Sequence, residues 1–482
     1  MLKLKLMAAV LIAAVSFCQG QIFWDDAIDM EAPNGARNLP RLSLDASGNP
    51  LVLWNNSEDV YFSRWDGAEF TKSILINPDT ATVAGSYWMG PDMASKGDTV
   101  YVVYKEAPED AVSSHVFCSS SFDGGQSFNT PVRVDNIGDS LSRFSTVAID
   151  ENGHPIVAFM KFTTNFEHHV WYVTRSNDFG QSFEKAVVAS GWSSATTEAC
   201  DCCMAEIVQS KGKIALVYRE NDSDIRDIWA GISTDNGQSF SRGLNMDQHE
   251  WNVGGCPSSG PDAFIIDDTL HTVFMSSAQG RRRVYYNKAS LTDVADPMPA
   301  NYITDEITNL TYQNFPRIAT NGNYMASVWV QAITGRKELA FSFTSDIGAG
   351  FDTAYTIIHE SNINNTTLIM SDEYVYVVWQ DETDDVVKFK RGRFSSVGLT
   401  DNNTEALAVY PNPTQGNWNI KLPAKTKEGL LEVYNSAGEL MQRIDMSNRG
   451  TSTPIRINND TWNSGIYFLK MNGELVQQLI KN

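Results

Sequence analysis

Seven near-continuous apolar runs, each closing on an aromatic residue, punctuate the middle of the chain: Leu51 to Trp54, Val100 to Tyr104, Ile156 to Phe159, Ile214 to Tyr218, Leu270 to Phe274, Met325 to Trp329 and Tyr374 to Trp379. Such runs are too short for helices and lack the alternation of a half-exposed strand, so they predict strands buried on both faces. Their closing aromatics recur at steps of 50 to 59 residues, which leaves room for four strands and their turns. A fixed period of this size marks a radial repeat, and one four-stranded sheet per step predicts an all-β fold, a seven-bladed β-propeller. The last repeat offers no clear outermost strand of its own. Ile22 to Met30 (IFWDDAIDM) supplies one from the other end of the chain, so the disc is expected to be closed by its N-terminal strand.

A second, polar register runs through the same region. Ser121-Phe122-Asp123-Gly124-Gly125-Gln126-Ser127-Phe128 recurs at Ser176 to Phe183, at Ser233 to Phe240 and, more loosely, at Thr344 to Phe351, with the aspartates 55, 57 and 111 residues apart. An Asp that caps backbone amides, a Gly at positive φ and an aromatic packed beneath make a tight hairpin turn. These motifs are identified as Asp-boxes (BNR repeats), and with this spacing the chain resembles the sialidase-like propellers. The resemblance implies turns on the face opposite the usual active site, so it speaks to fold and not to chemistry. The early segment Arg37-Asn38-Leu39-Pro40-Arg41 departs from the Phe-Arg-Ile-Pro pattern of sialidases proper, and seven blades depart from their six. In blade number and residue types the chain is similar to secreted ulvan-type polysaccharide lyases, which would imply elimination chemistry by His, Tyr and Arg. Cys200-Asp201-Cys202-Cys203, Tyr218-Arg219, Ile225 to Ile228 and Gly255-Cys256-Pro257 resemble a pattern in bacterial sialidase-like proteins without a fixed reaction.

Beyond the repeats, VYPNPTQGNWNIKLP from Val409, LEVYNSAGEL around Tyr434 and GIYFLKMNGELVQQLIKN at the terminus predict a small C-terminal β-sandwich. Tyr410-Pro411-Asn412-Pro413, Gly465-Ile466-Tyr467 and the closing Lys481-Asn482 resemble the type A sorting domain of the Bacteroidetes type IX secretion system. That resemblance implies a protein secreted or held on the cell surface of a Gram-negative bacterium, with the secretion machinery as a partner. The first residues, with Lys3 and Lys5, an apolar stretch from Leu6 to Phe17 and small residues before Gln21, read as a signal peptide. The expected organisation is a leader at 1–20, the propeller at 21–398, a linker at 399–406 and the sorting domain at 407–482. No other run reaches transmembrane length, so no transmembrane anchor is expected.

Charge narrows the partners. The formal net charge is −21, and losing Lys3 and Lys5 with the leader makes it −23; a nucleic-acid partner is excluded by the absence of a broad basic surface. Against that background the strand ends expected at the tunnel mouth collect cations, which points to an anionic ligand. Among seven histidines, His115, His168 and His169 open neighbouring third strands. Elimination from a uronate needs a base for the proton α to the carboxylate, a cation to neutralise that carboxylate and an acid for the leaving oxygen. The candidate catalytic set is therefore His115, His168, His169, Tyr87, Arg143 and Arg219. Arg37, Trp88, Lys161, Tyr312 and Gln380 are candidates for substrate contacts. Arg219 beside Glu220 has a competing reading as a brace within blade 4.

After the leader, five cysteines remain: Cys118, Cys200, Cys202, Cys203 and Cys256. In an exported protein a disulfide from Cys256 to one of the cluster is expected first, with a thiolate metal site as the alternative. No phosphate-cradling loop or nucleotide fingerprint occurs, so no cofactor is expected to be required. The function expected is a carbohydrate-active enzyme acting on acidic poly- or oligosaccharides by β-elimination, as lyase or dehydratase. A sialidase-type hydrolase and a non-catalytic binding propeller are the alternatives.

Overall fold

The computed structural model of the chain describes residues 22–293, 295–394, 408–412, 414–421, 429–436, 438–446, 455–471 and 474–481. They fall into two compact units, divided between residues 394 and 408. The expected leader at 1–20 and linker at 399–406 lie outside the described residues.

The first unit is built from seven antiparallel sheets, each with a core of four strands. Their innermost strands are Asn38–Leu44, Asp92–Lys96, Leu141–Ile149, Glu206–Ser210, Asp262–Ile266, Leu310–Thr320 and Ile363–Met370. Each packs against the next, and the seventh returns to the first, which closes a seven-bladed β-propeller. The apolar runs read from the sequence are the second strands: Pro50–Asn55, Thr99–Lys105, Pro155–Phe162, Lys213–Asn221, Thr269–Ser276, Met325–Ile333 and Tyr374–Asp381. A second strand has a blade on each side, so neither of its faces meets water. All seven closing aromatics are at most 1% exposed, and burying a side chain of that size contributes about 2–3 kcal/mol.

The N-terminal strand closes the seventh blade, as the sequence led us to expect. Ile22–Trp24 and then Ile28–Asp29 pair antiparallel with Val386–Phe394, so the first and last strands of the ring are locked to each other by hydrogen bonds rather than by a covalent link. The three best Asp-Gly turns sit between third and fourth strands. In the second of them Asp178 Oδ1 accepts from the Ser182 amide at 2.8 Å and from Ser176 Oγ at 2.7 Å. Gly180 takes φ +81° there, a conformation that would strain a residue with a Cβ.

The second unit holds a three-stranded sheet (Ala408–Tyr410, Trp418–Lys421, Ile455–Ile457) and a four-stranded one (Leu440–Asp445, Leu430–Asn435, Gly465–Met471, Glu474–Lys481). They share one core that contains Trp418, Ile420, Val433, Tyr467, Leu469 and Leu479, the arrangement of a small sandwich.

Candidate functional site

The strand register decides which residues share a face. Asn38 pairs with Asn55, Leu141 with Phe162, Leu310 with Ile333 and Ile363 with Asp381, so the starts of innermost strands and the ends of second strands lie together at one mouth of the ring. The Asp-Gly turns lie at the other. Every candidate named from the sequence belongs to the first mouth, but they gather in separate neighbourhoods.

The first neighbourhood is an open depression of about 560 Å³ where blades 7, 1 and 2 meet, lined by Arg37, Asn38, Ser57, Ser86, Tyr87, Asn364, Gln380 and Glu382. That volume accommodates a sugar residue or two. Arg37, Tyr87 and Gln380 were expected; Asn38, Asn364 and Glu382 were not. Tyr87 is 52% exposed, on a loop that two glycines allow to cross blade 1 closely. A Cβ on Gly85 would stand 2.2 Å from Asn55 Nδ2 and 2.3 Å from the Asn56 carbonyl, and one on Gly90 would stand 2.8 Å from Asn55 Oδ1. The loop is pinned from blade 7 by Asn365 Nδ2, which donates to the Tyr87 carbonyl at 2.6 Å. Among the described residues Arg37 makes one ion pair, with Asp385 at 3.4 Å and open to solvent. Glu382 accepts from Asn364 Nδ2 at 3.3 Å and lies 3.6 Å from Lys337 Nζ. Tyr312 senses the charges of Arg282 and Glu382, although burial is the main cause that pushes its phenol up.

The second neighbourhood, between blades 2, 3 and 4, holds Trp88, Arg143 and His169. The Arg143 guanidinium lies 5.3 Å from the Phe162 ring centre and 5.9 Å from that of Trp88. It donates to Glu109 Oε1 at 3.0 Å and to the Asp201 carbonyl at 2.8 Å. His169 stacks on the other ring contact of this group, Phe162, at 5.0 Å, and its Nδ1 is 2.9 Å from Glu198 Oε2. Burial acts to raise the Glu198 carboxyl, but hydrogen bonds from the His169 ring and from the His168 and His169 amides bring it below its ordinary value. His169 Nε2 is buried without a hydrogen-bond partner. His168, by contrast, has a side chain 76% exposed at the rim.

The remaining candidates are drawn into the framework. His115 Nδ1 is 3.1 Å from the fully buried Asp135, apart from the other two histidines in its partner, and burial pushes its ring down. Lys161 lies over the Tyr172 ring at 5.4 Å. Arg219 is 1% exposed and spends its donors on three carbonyls: Arg226 at 2.7 Å, Ser259 at 3.2 Å and Met275 at 2.7 Å. It therefore ties blade 4 to blade 5, and the bracing reading replaces the catalytic one. The expected surplus of cations is largely met by partners of this kind.

The expected disulfide does not form. All five described cysteines are free thiols, and Cys200, Cys202 and Cys203 are packed together, with sulfur separations of 3.4, 3.7 and 4.0 Å. Hydrogen bonds from the Cys202 and Cys203 thiols, helped by the Arg226 guanidinium at 3.0 Å and opposed by burial, hold Cys200 well below the ordinary thiol range.

A ring of side chains deeper in the tunnel was not anticipated. Arg41, Asp92, Thr146, Glu206, Asp262 and Arg317 each pair with the residue just before a second-strand aromatic. Asp92 reaches both neighbours, with Arg41 Nε at 3.2 Å and Thr146 Oγ1 at 2.8 Å, and it also caps the Val147 amide at 3.1 Å. Asp262 caps the Ile318 amide at 2.7 Å, and Arg317 Nη1 lies 3.7 Å from Glu206 and 3.8 Å from Asp262. Burial, with Asp92 and Asp262 adding to it, pushes Glu206 well up. Because each member answers a group on another blade, the ring serves cohesion. Aligning the repeats on their aromatics would have exposed it in the sequence.

Comparison with known proteins bears mainly on the second unit. One curated relative, a funoran endo-beta-hydrolase of Wenyingzhuangia aestuarii, is 32% identical over 72 residues, which is 15% of this chain and 9% of the relative. The chain thus spans less than a tenth of that protein's length. Solved structures similar to the chain include a Trypanosoma rangeli sialidase with sialic acid, at 9% identity and a TM-score of 0.44, covering 95% of this chain and 88% of the other. A Penicillium chrysogenum α-L-arabinanase with arabinobiose has 14% identity and a TM-score of 0.42, covering 68% and 98%. A Dyadobacter fermentans protein of unknown function has 13% identity and a TM-score of 0.43, covering 67% and 98%. At these values the propeller assignment rests on the strand pairing itself. No helix among the described residues is long and apolar enough to cross a membrane. Residues 408–482 match the secretion system C-terminal sorting domain, so the protein carries the label of type IX export to the cell surface or the extracellular space.

Proposed function

We propose that the protein is an exported carbohydrate-active enzyme that seats an acidic sugar residue of a poly- or oligosaccharide in the depression between blades 7, 1 and 2 and cleaves it by β-elimination. The observation that supports this most is the composition of that depression: one guanidinium (Arg37), one exposed phenol (Tyr87) and one carboxylate (Glu382), together with the amides of Asn38, Asn364 and Gln380. In this reading Arg37 neutralises the uronate carboxylate, which makes the adjacent C–H acidic. Glu382 takes that proton, and Tyr87 gives one to the oxygen that leaves as the C–O bond breaks and the C=C bond forms. The histidines first expected for these roles sit elsewhere, against Asp135 and Glu198.

The same three residues favour one second reading. A phenol and a carboxylate lining one depression could serve a sialidase-type hydrolysis. Against it, Arg37 is the one arginine among the described residues that line the depression, a single guanidinium to hold a sialic-acid carboxylate. Incubation with a panel of uronate polysaccharides separates the two: elimination yields the ultraviolet absorbance of an unsaturated uronate, and hydrolysis yields new reducing ends without it. Neither signal, together with measurable binding, would leave a glycan-binding propeller.

A further inference from the structure

The cysteine cluster lies outside the depression and the proposed reaction does not use it. Its geometry is nonetheless specific. Cys200, Cys202 and Cys203 are 0%, 6% and 1% exposed, and a turn at the start of blade 4 folds all three sulfurs onto one point. The turn is fixed by the Cys200 amide, which donates to the Arg219 carbonyl at 2.9 Å, and by the Cys203 amide, which reaches back to the Cys200 carbonyl at 3.4 Å. A tetrahedral ion with metal–sulfur bonds of about 2.3 Å has sulfur–sulfur edges of about 3.8 Å. The three observed separations, 3.4, 3.7 and 4.0 Å, bracket that edge.

A fourth thiol stands nearby on the neighbouring blade, within reach of Cys202 but not of all three buried sulfurs. Cys256 is exposed, and its sulfur lies within 4.8 Å of both the Cys202 sulfur and an Asp201 carboxylate oxygen. One positive charge stands against the group, Arg226 Nη1 at 3.0 Å from Cys200 Sγ, and Arg143 Nη1 holds the Asp201 carbonyl of the same turn. Soft thiolates select thiophilic d¹⁰ cations. Unbound, thiols this close in an oxidising compartment would pair with one another.

We infer that Cys200, Cys202 and Cys203 bind one thiophilic metal ion, zinc when Cys256 is drawn in from beside Cys202 as the fourth ligand, which then staples blade 4 to blade 5 at the tunnel mouth. Because Arg143 is anchored on Asp201 within the same turn, the ion also fixes that guanidinium in place. Copper(I), held by the three buried sulfurs alone, is the other source of the same chemistry.

The test uses the full exported chain, purified without chelators and analysed for metal by mass spectrometry. One zinc per chain is expected, lost to below a tenth of an equivalent in Cys202→Ser and reduced in the surface variant Cys256→Ser, while Cys118→Ala keeps it. Replacement by cobalt(II) should give sulfur-to-metal charge-transfer absorbance. Copper retained in Cys256→Ser would support the three-thiolate form of the site. Folded wild-type protein without metal, whether its four thiols titrate freely or its mass shows them paired, would overturn the inference. Cys256→Ser guards the test against misfolding, since its side chain is at the surface.

Discussion

Arg219 was a catalytic candidate by sequence and is a brace by structure, and Arg219→Met separates the two. Methionine keeps much of the side chain's bulk against Trp251, whose ring centre lies 5.0 Å from the guanidinium carbon. It removes every donor to the carbonyls of Arg226, Ser259 and Met275. A buried acceptor left unpaired costs about 1–3 kcal/mol, while removal of a buried charge returns part of its desolvation cost. The net loss expected is roughly 3–5 kcal/mol, a large share of the total stability of a folded domain. With an unfolding entropy of about 2 cal/mol/K per residue, 4 kcal/mol in a propeller of this length lowers the melting temperature by roughly 5 °C. Differential scanning calorimetry reads that shift, and the turnover of the fraction still folded at low temperature should stay within about twofold of wild type. A melting temperature within about 1 °C of wild type, with turnover abolished, would refute the reasoning and return Arg219 to the reaction.

Three further outcomes follow from the same geometry. Tyr87→Phe removes an exposed hydroxyl, so the melting temperature should not move, while release of unsaturated uronate should fall by about 10²-fold or more if Tyr87 supplies the proton; calorimetry and absorbance check the two halves. Gly85→Ala drives a methyl against Asn55 and the Asn56 carbonyl, which should cost about 1–3 kcal/mol and displace the Tyr87 loop, seen as a raised KM for the glycan. Burial pushes the His271 ring from 6.5 down to about 4. The unfolded chain thus binds the proton more readily, so the stability His271 contributes is present above about pH 6.5 and is lost as pH falls towards 4; His271→Phe should flatten the melting-temperature profile in that window.

The sequence made the propeller legible because burial on both faces of a second strand demands an unbroken apolar run, and each run announces itself by its aromatic. It also placed Arg37, Tyr87 and Gln380 at one mouth, because position within a repeat determines which end of a strand a residue occupies. Convergence across blades was not legible. Whether an arginine is free depends on acceptors far along the chain, as Arg219 on Ser259 and Met275 shows, and as Arg143 on Asp201 and Glu109 shows again. Glu382 was missed although it stands two residues beyond Gln380, since an acid after a strand reads as an ordinary solvated loop. The histidines drew a catalytic reading for the opposite reason: a rare titratable residue attracts one, while Asp135 and Glu198, the carboxylates that engage His115 and His169, are anonymous in a chain so acidic.

The location of the ligand is the central claim, and a crystal structure of the protein soaked with an oligosaccharide that it degrades or binds, the acidic sugar at its end, tests it most directly. The account predicts the sugar between Tyr87 and Glu382, its carboxylate within hydrogen-bond distance of Arg37. Density for the sugar beside Arg143 and His169, on the Asp-Gly turn face, or anywhere that leaves Arg37 untouched would contradict it.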